Sequence, residues 1–310
     1  MPDTAPSVAI IVVNYNSAGF IAEFCTSLQA IDYTNWRLIV IDSGSSDGSM
    51  ATIEASFAQC AGFESVRFAE NIGFAAGANV PFDRGLVDDC DYTLFLNPDT
   101  VVDPAFLSRM VTAADERTIV VPKILYAGDH RLISTHAGGF DWRLGVFRDT
   151  YAGREDGPET GVRREDLATA SFCCALVPRQ AFSDAGRLDE RFFMYYEETD
   201  WIRRAQACRY RVRYEPSAVI YHRESGSSGG GWMTPFKQYY ATRNRLYLVR
   251  KHARSRLAYA YFTAYFLATR IATAAAMVAR RDWRLLRAMT RGTLDYYRGR
   301  MGRTVQVGDL

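Results

Sequence analysis

Short apolar runs alternate with periodic, helix-like segments along the first hundred residues. The apolar runs lie at 8–13, 37–41, 65–68 and 92–96. The helical patterns lie between them, at 18–28, 48–57 and 74–86. This alternation is typical of β-α-β units and predicts an α/β fold with a mixed, mostly parallel central sheet. Such sheets bind ligands at the carboxyl ends of their strands, so the residues that follow each run are the first candidates for a site.

The middle of the chain has a looser pattern. From about 118 to 177, turn signals interrupt short hydrophobic stretches. This pattern predicts antiparallel hairpins and loops that cover one end of the sheet and shape one side of the ligand site there. A helix is expected from Glu197 to about Cys208, followed by two extended segments at 211–214 and 218–221. The stretch 226–231 is rich in glycine and serine and is a candidate for a flexible lid.

From Pro235 onward the whole pattern predicts helix, and this part is strongly basic. Residues 250–310 contain thirteen Arg or Lys against three Asp, whereas the whole chain has a net charge of only +2. A basic extension on an acidic body predicts an anionic partner, and a membrane surface is favoured over nucleic acid because the body carries the opposite charge. The apolar stretch 257–279 contains Arg270, so we expect a helix lying on a membrane or packed on the body rather than a membrane span.

Composition adds two expectations. With 310 residues, 48% of them hydrophobic, the chain is long enough to bury a full core. Its six cysteines form no CxxC pair, which favours reduced thiols in a cytoplasmic protein over a disulfide framework. The segment before the first apolar run lacks Lys and Arg, and that run is only six residues long, so it is expected to be a buried strand and not a signal peptide.

Polar residues follow the predicted strands. Asp42 ends the second run, and a carboxylate at that place can accept the ring N–H of uracil or thymine. The alternative, a helix N-cap, is disfavoured because Asp42 lies too early and Ser46 or Asp47 can serve instead. Asp99 closes an Asn97-Pro98-Asp99 turn after the fourth run, where hard oxygen ligands suit a divalent metal on a diphosphate. Taken alone, such a motif is commonly only a turn.

Acidic and basic groups later in the chain are further candidates. Glu197, Glu198 and Asp200 follow an aromatic run that would raise a carboxyl pKa toward the range of a general base, although acids in a first helical turn also simply complement the helix dipole. His222 ends a predicted strand and is either a metal or phosphate contact or a structural residue. Arg243 lies on a helix among tyrosines, where it either reaches a diphosphate or belongs to a solvated basic face.

In combination these motifs resemble glycosyltransferase family 2, and within it the bacterial rhamnosyltransferase-like branch. The matching blocks occur in order at 13–16, 41–49, 71–79, 96–100, 192–201, 222 and 239–251. The resemblance implies a GT-A fold over residues 1–250, with 251–310 as a basic helical extension that associates with membranes.

The resemblance also implies roles for individual residues. Asp42 would hold the nucleobase, Asp99 would bind Mg²⁺ or Mn²⁺, and His222 would complete the metal or diphosphate site. The donor side would also include Asn14, Asn16, Asn71, Gly73, Phe74, Gly77, Asn97 and Arg243. The catalytic base of the family belongs to an acidic pair that usually reads Glu-Asp, and Glu198 occupies the second place. Because a glutamate stands there, Glu197 and Asp200 are kept as alternative bases.

The implied reaction is an inverting, metal-dependent transfer of a sugar from a nucleotide-diphosphate donor to a hydroxyl of a glycan or polyprenyl-diphosphate-linked glycan, at the cytoplasmic face of the membrane. The branch favours dTDP-rhamnose as donor, with UDP-galactofuranose or a UDP-hexose next. A nucleotidyltransferase is disfavoured because Asn14-Tyr15-Asn16 replaces an arginine-containing glycine-rich loop, and no GxGxxG supports a dinucleotide oxidoreductase. A degenerate sugar-nucleotide-binding protein without turnover is supported only by the glutamate at position 198.

Overall fold

The computed structural model describes residues 5–134, 138–148, 151–223, 233–306 and 308–309. The predicted alternation in the first hundred residues is confirmed. Its elements are β1 (Val8–Asn14), α1 (Ile21–Gln29), β2 (Trp36–Ser43), α2 (Ser49–Phe57), β3 (Phe63–Phe68), α3 (Gly73–Asp83) and β4 (Tyr92–Leu96). Strand β1 pairs in parallel with β2 and β4, and β2 pairs in parallel with β3. The carboxyl ends of these strands therefore meet at one edge of the sheet.

The middle of the chain contributes more to the main sheet than its loose pattern predicts. Its elements are β5 (Thr100–Val102), α4 (Phe106–Ala113), β6 (Thr118–Tyr126), β7 (Asp129–Ile133), β8 (Gly139–Asp141), β9 (Val146–Arg148), β10 (Cys174–Pro178), α5 (Gln180–Asp184), α6 (Glu197–Ala207) and β11 (Arg211–His222). The strand order is β3-β2-β1-β4-β10-β6-β11-β5, with β7 beside β6. Only β8 and β9 form a separate two-stranded sheet, so the expectation that this region consists of covering hairpins and loops is wrong for β6 and β10.

Strand β11 joins the two extended segments predicted at 211–214 and 218–221. It runs parallel to β6 with a register shift between Glu215 and Val219, where Pro216 has no N–H to donate to the ladder. At its end it pairs antiparallel with the short strand β5, so that His222 lies opposite Thr100.

Apolar layers cover both faces of the sheet. Along β1, Ala9 and Ile11 point to the layer that contains α3 and α6, whereas Ile10 and Val12 point to the layer under α1 and α4. The strands are buried on both faces, which is why they read as continuous apolar runs. Trp201 of α6 is fully buried in the first layer, and this anchors the helix that begins with the acidic cluster.

Three helices follow: α7 (Pro235–His252), α8 (Arg256–Ala279) and α9 (Trp283–Tyr297). The helical prediction fails after α9, where the chain turns back and docks on α7: Val305 is buried, and the Tyr240 hydroxyl donates to its carbonyl oxygen at 2.8 Å. Helix α8 is the one helix of the described residues that is long and apolar enough to cross a membrane. The predicted lid at 226–231 lies outside the described residues.

Candidate active site

Asn14 and Asp42 lie side by side at the ends of β1 and β2. They are register partners in the parallel ladder, and Asn14 Nδ2 donates to Asp42 Oδ1 at 2.9 Å. The same amide nitrogen lies 3.1 Å from the hydroxyl oxygens of Ser45 and Ser49, while Ser17 donates to Asn14 Oδ1. Asn14 therefore fixes the orientation of the Asp42 carboxylate at the predicted nucleobase edge.

Asn16 organises the loop that follows β2. Its backbone is left-handed, with φ of 48°, its N–H donates to Ser45 Oγ at 3.0 Å, and its side-chain oxygen accepts from the N–H of Ser46 at 2.9 Å. These bonds give Asn16 a supporting position beside Asp42. Its role in donor binding stays a prediction.

The block that begins at Asn71 forms the start of α3. Asn71 Oδ1 accepts from the Ser43 hydroxyl at 3.2 Å and from the N–H of Gly73 at 2.9 Å. Gly73 has φ of +81°, and a Cβ there would lie 2.4 Å from the Phe193 ring, so the position requires glycine for packing as well as for backbone conformation. The N–H of Phe74 donates to the Phe193 carbonyl at 3.0 Å.

Gly77 is also constrained by close packing, because a Cβ there would lie 2.7 Å from the Val13 side chain. The glycines and Phe74 were predicted to face the ribose and diphosphate. The structure gives Gly73 and Gly77 a sufficient packing reason, and the contact of this block with a donor remains a prediction.

Asp99 and His222 lie together at the end of β11. His222 Nε2 is 3.2 Å from Asp99 Oδ1, and both side chains are largely buried. Despite this distance, Asp99 Oδ1 accepts no well-aligned hydrogen bond from the described residues. Asn97 directly follows β4 and is held through its N–H, which donates to the Cys173 carbonyl at 2.9 Å.

The electrostatics of this pair keep both groups charged. Burial alone would raise the pKa of Asp99, but the charge and hydrogen-bonding capacity of His222 hold it below its ordinary value. Burial alone would lower the pKa of His222, but the neighbouring Cys173 and Asp99 raise it well above its ordinary value. A divalent cation would have to displace the imidazole proton, because only neutral imidazole is a ligand; the carboxylate oxygen and the imidazole nitrogen are then donors that fit such an ion.

Glu197 and Glu198 begin α6 and differ in accessibility. Glu197 is buried, its Oε2 has no hydrogen-bond partner among the described residues, and burial raises its pKa well above the ordinary value. Glu198 is only half-buried, and burial raises its pKa to about 7. A carboxyl group that is partly accessible and titrates near neutrality suits a general base better than one that stays protonated.

Asp200 is fully buried and is surrounded by basic side chains. Its oxygens lie 3.0 Å from Arg204 Nε, 2.8 Å from Lys251 Nζ and 2.8 Å from His252 Nε2. Burial would raise its pKa, but these partners lower it. The carboxylate therefore ties α6 to the end of α7, and this structural role makes it a poor alternative base.

Arg243 differs from its predicted position at the diphosphate. Its guanidinium has no exposed surface and donates to the carbonyl oxygens of Phe192 at 2.9 Å and Gly302 at 2.7 Å, and to Thr304 Oγ1 at 2.8 Å. Burial lowers its pKa, and the group stacks 4.7 Å from the Tyr240 ring centroid. With its donors committed to protein acceptors, Arg243 supports the fold, and the prediction of a diphosphate contact is corrected.

The segment just before the acidic pair is strained, which the sequence did not predict. Phe193, Tyr195 and Tyr196 all have positive φ, between 66° and 74°. Such conformations cost about 1–3 kcal/mol each in a residue with a side chain and need support from their surroundings. Asn244 supplies it, because its Nδ2 lies within 2.9 Å of the carbonyl oxygens of Phe192, Met194 and Tyr195.

Comparisons with known proteins agree with this geometry. The profile of glycosyl transferase family 2 matches residues 9–186, more than half of the chain, and the chain belongs to that family. It is similar to the N-acetylglucosaminyl-diphospho-decaprenol L-rhamnosyltransferase of Mycobacterium tuberculosis, with 27% identity over 250 residues that cover 74% of this chain and 79% of the relative. This similarity is consistent with the predicted place of the chain in the rhamnosyltransferase-like branch of the family.

Solved structures with a similar fold are glycosyltransferases of the GT-A type. A mannosyltransferase from Pyrobaculum calidifontis, in complex with GDP-Man and Mn²⁺, has a TM-score of 0.58 at 14% identity, covering 96% of this chain and 88% of that chain. GalNAc-T7 with UDP, GalNAc and Mn²⁺ has a TM-score of 0.57 at 12% identity, covering 78% and 48%. The predicted GT-A fold is confirmed, and the protein is a glycosyltransferase.

Proposed function

We propose that this member of family 2 is an inverting, metal-dependent transferase that moves rhamnose from dTDP-rhamnose to a hydroxyl of a polyprenyl-diphosphate-linked glycan. The observation that carries the proposal is the buried Asp99 carboxylate at the carboxyl edge of the sheet, 3.2 Å from His222 Nε2, whose Oδ1 accepts no well-aligned hydrogen bond from the described residues. The choice of sugar and acceptor follows the similarity to the mycobacterial N-acetylglucosaminyl-diphospho-decaprenol L-rhamnosyltransferase.

Asp99 and His222 would hold the Mg²⁺ or Mn²⁺ ion. Mn²⁺ is present in the two similar structures described above, which supports a divalent ion of this kind. When bound, such an ion supplies positive charge against the negative charge that develops on the departing nucleoside diphosphate. The protein's own contribution is a carboxylate kept ionised in a buried position.

Asp42 would bind the base of the nucleotide. Its carboxylate, oriented by Asn14, accepts the ring N–H that thymine and uracil share. This contact therefore disfavours adenine and cytosine, whose ring nitrogen on the pairing edge is an acceptor, and the discrimination among thymine, uracil and guanine has to come from other contacts.

Glu198 would act as the general base. It takes the proton of the acceptor hydroxyl while that oxygen forms a bond to the anomeric carbon, and the bond from this carbon to the diphosphate oxygen breaks on the opposite face. The configuration at the anomeric carbon is inverted in this single displacement, and no covalent sugar-enzyme intermediate is required. The pKa of about 7 makes Glu198 available as a base at neutral pH.

A lipid-linked acceptor places the enzyme at the cytoplasmic face of the membrane. The outer face of α8 is apolar along its length, with Leu257 83% exposed and Ile271 72% exposed. Arginines flank this face at 254, 256, 280 and 281. A water-exposed helix normally presents polar residues, whereas an apolar face flanked by arginine suits an interface with anionic lipid.

The direct test is a transfer assay with dTDP-rhamnose, UDP-galactofuranose and UDP-glucose, each with Mn²⁺ and GlcNAc-diphospho-polyprenol in vesicles. The account predicts a rhamnosylated product of inverted anomeric configuration, seen by NMR, and no product with Glu198→Gln. Transfer of another sugar would replace the donor assignment. Retained anomeric configuration would rule out the single displacement.

A further inference from the structure

Two arginines between α7 and α8 lack acidic partners. Arg245 is 9% exposed, donates to the Leu144 carbonyl at 2.6 Å, and has a buried Nε without a hydrogen-bond partner among the described residues. Arg270, near the middle of α8, also has a buried Nε without a hydrogen-bond partner among the described residues. Within the described part of the chain, neither forms an ion pair with a carboxylate.

The two guanidinium groups share one aromatic neighbour. The Cζ of Arg245 lies 5.6 Å from the Phe266 ring centroid, and the Cζ of Arg270 lies 5.3 Å from it, so the two carbons are at most about 11 Å apart. Arg245 also lies 5.7 Å from the Phe262 ring. Aromatic rings offer only weak compensation for a desolvated cation, and they provide no acceptor for the Nε–H of either arginine.

The pair also lies near the proposed catalytic residue. Burial raises the pKa of Tyr196, and the positive charges of both Arg245 and Arg270 oppose that rise, while the charge of Glu198 adds to it. Geometry links them as well, because Arg245 donates to the Leu144 carbonyl in the turn of the β8–β9 hairpin. Phe147 of the β8–β9 hairpin stacks on Tyr196 with ring centroids 5.7 Å apart.

A buried cation and a half-buried cation that repel each other are costly unless an anion joins them. Burial lowers the pKa of Arg270, and the charge of Arg245 lowers it further. A diphosphate carries several acceptor oxygens and matches the donor geometry of guanidinium groups. The exposed apolar face of the same helix α8 is suited to lipid, so a diphosphate attached to a lipid would meet both features at once.

We propose that Arg245 and Arg270 bind the diphosphate group of the acceptor, between the apolar face of α8 and Glu198. This inference rests on the proposed function, since it names the part of the lipid-linked acceptor that the chain recognises. It assigns a site separate from that of the donor diphosphate, which is expected at Asp99 and His222.

The test is calorimetric titration of the full chain with inorganic pyrophosphate and, separately, inorganic phosphate, in EDTA so that no metal holds either probe at the donor site. Wild type, Arg245→Gln, Arg270→Gln and Arg287→Gln are compared. Arg287 is the matched control, because it is an exposed arginine on the neighbouring helix α9. We expect pyrophosphate to bind wild type and Arg287→Gln equally, about tenfold more weakly to the other two variants, and more tightly than phosphate throughout.

Equal binding by Arg270→Gln and wild type would overturn the proposal, as would an equal loss in Arg287→Gln. Tighter binding of phosphate than of pyrophosphate would overturn it in favour of a phospholipid headgroup. Circular dichroism checks whether each variant folds. Arg270 is the less buried of the two arginines, so Arg270→Gln can still be titrated if Arg245→Gln does not fold. The titration does not depend on sugar transfer, so the two proposals can fail separately. Failure of the wild-type enzyme to transfer sugar would refute the proposed function. An unchanged KM for the acceptor in a catalytically active Arg270→Gln variant would refute only the present inference.

Discussion

His222 Nε2 lies 3.2 Å from Asp99 Oδ1, and the contact depends on one short strand pairing. Strand β11 runs antiparallel to β5 with His222 opposite Thr100, the residue after Asp99. The histidine is therefore delivered to the carboxylate by backbone pairing and not by a flexible loop. This rigid placement suits a site whose ligands must hold a charged diphosphate in a defined position.

Glu198→Gln is expected to abolish transfer and to stabilise the fold at alkaline pH. The folded-state pKa of about 7 exceeds the ordinary value of 4.5, so the folded protein binds more protons between these values and its stability falls as pH rises through them. The neutral amide removes this penalty and should raise the free energy of unfolding by about 1–3 kcal/mol at pH 8. Urea unfolding at pH 8 measures it.

The same comparison at pH 4 is the control for Glu198→Gln, because the wild-type carboxyl is then protonated in both states and the difference should vanish. Transfer by wild type should rise with pH through about 7. A variant that is no more stable than wild type at pH 8 would show that Glu198 titrates in its ordinary range.

Asp200→Asn is expected to lower the free energy of unfolding and to leave the catalytic step unaffected. The substitution leaves Lys251, His252 and Arg204 without their common carboxylate, which should cost about 3–5 kcal/mol of unfolding free energy. The remaining folded protein should retain transfer, measured per mole of folded enzyme. A stable but inactive variant would instead identify Asp200 as the base.

Arg243→Ala is expected to lower the free energy of unfolding by about 3 kcal/mol or more, since it removes a buried guanidinium that several backbone carbonyls share. Arg243→Lys should also be destabilised, because an ammonium group lacks the planar fork. Nucleotide affinity measured by calorimetry on folded Arg243→Lys should match wild type. A large loss of affinity in a stable variant would restore the diphosphate contact.

Sequence reasoning succeeded where periodicity and strand-end position determine the structure. Asp42, Asp99 and His222 lie at strand ends, and the β-α-β pattern alone placed the first two at one edge. It failed for β6, a nine-residue strand with eight buried residues, because the turn signals around this stretch favour loops, whereas short apolar stretches are also typical of a central strand.

Arg243 shows the second limit. A sequence reveals that an arginine lies on a helix among tyrosines, but it does not reveal which backbone carbonyls lack partners. Here the strained turn at 193–196 leaves backbone carbonyl oxygens without backbone donors, and the side chains of Arg243 and Asn244 donate hydrogen bonds to carbonyls of this segment. The positive φ angles of bulky residues carry no sequence signal comparable to glycine, so this support had to be read from the structure.

Ile271→Lys is expected to weaken binding to anionic vesicles even though it adds positive charge. Ile271 lies on the exposed apolar face of α8, and a lysine there opposes insertion into the interface. Thr290→Lys, at an exposed position on α9, adds the same charge and should bind at least as well as wild type. Sedimentation with phosphatidylglycerol vesicles measures both, and equal binding by the two variants would indicate attraction by charge alone.

Thermal stabilisation tests most directly whether a metal ion holds the donor at Asp99 and His222. Wild type and Asp99→Ala are measured with dTDP-rhamnose, UDP-galactose, UDP-glucose and GDP-mannose, each with and without Mn²⁺. We expect dTDP-rhamnose to raise the melting temperature of wild type only when Mn²⁺ is present, and Asp99→Ala, folded but lacking the carboxylate, to show no such rise. Equal stabilisation of the two proteins, or stabilisation that does not depend on Mn²⁺, would contradict a metal-held donor at Asp99 and His222.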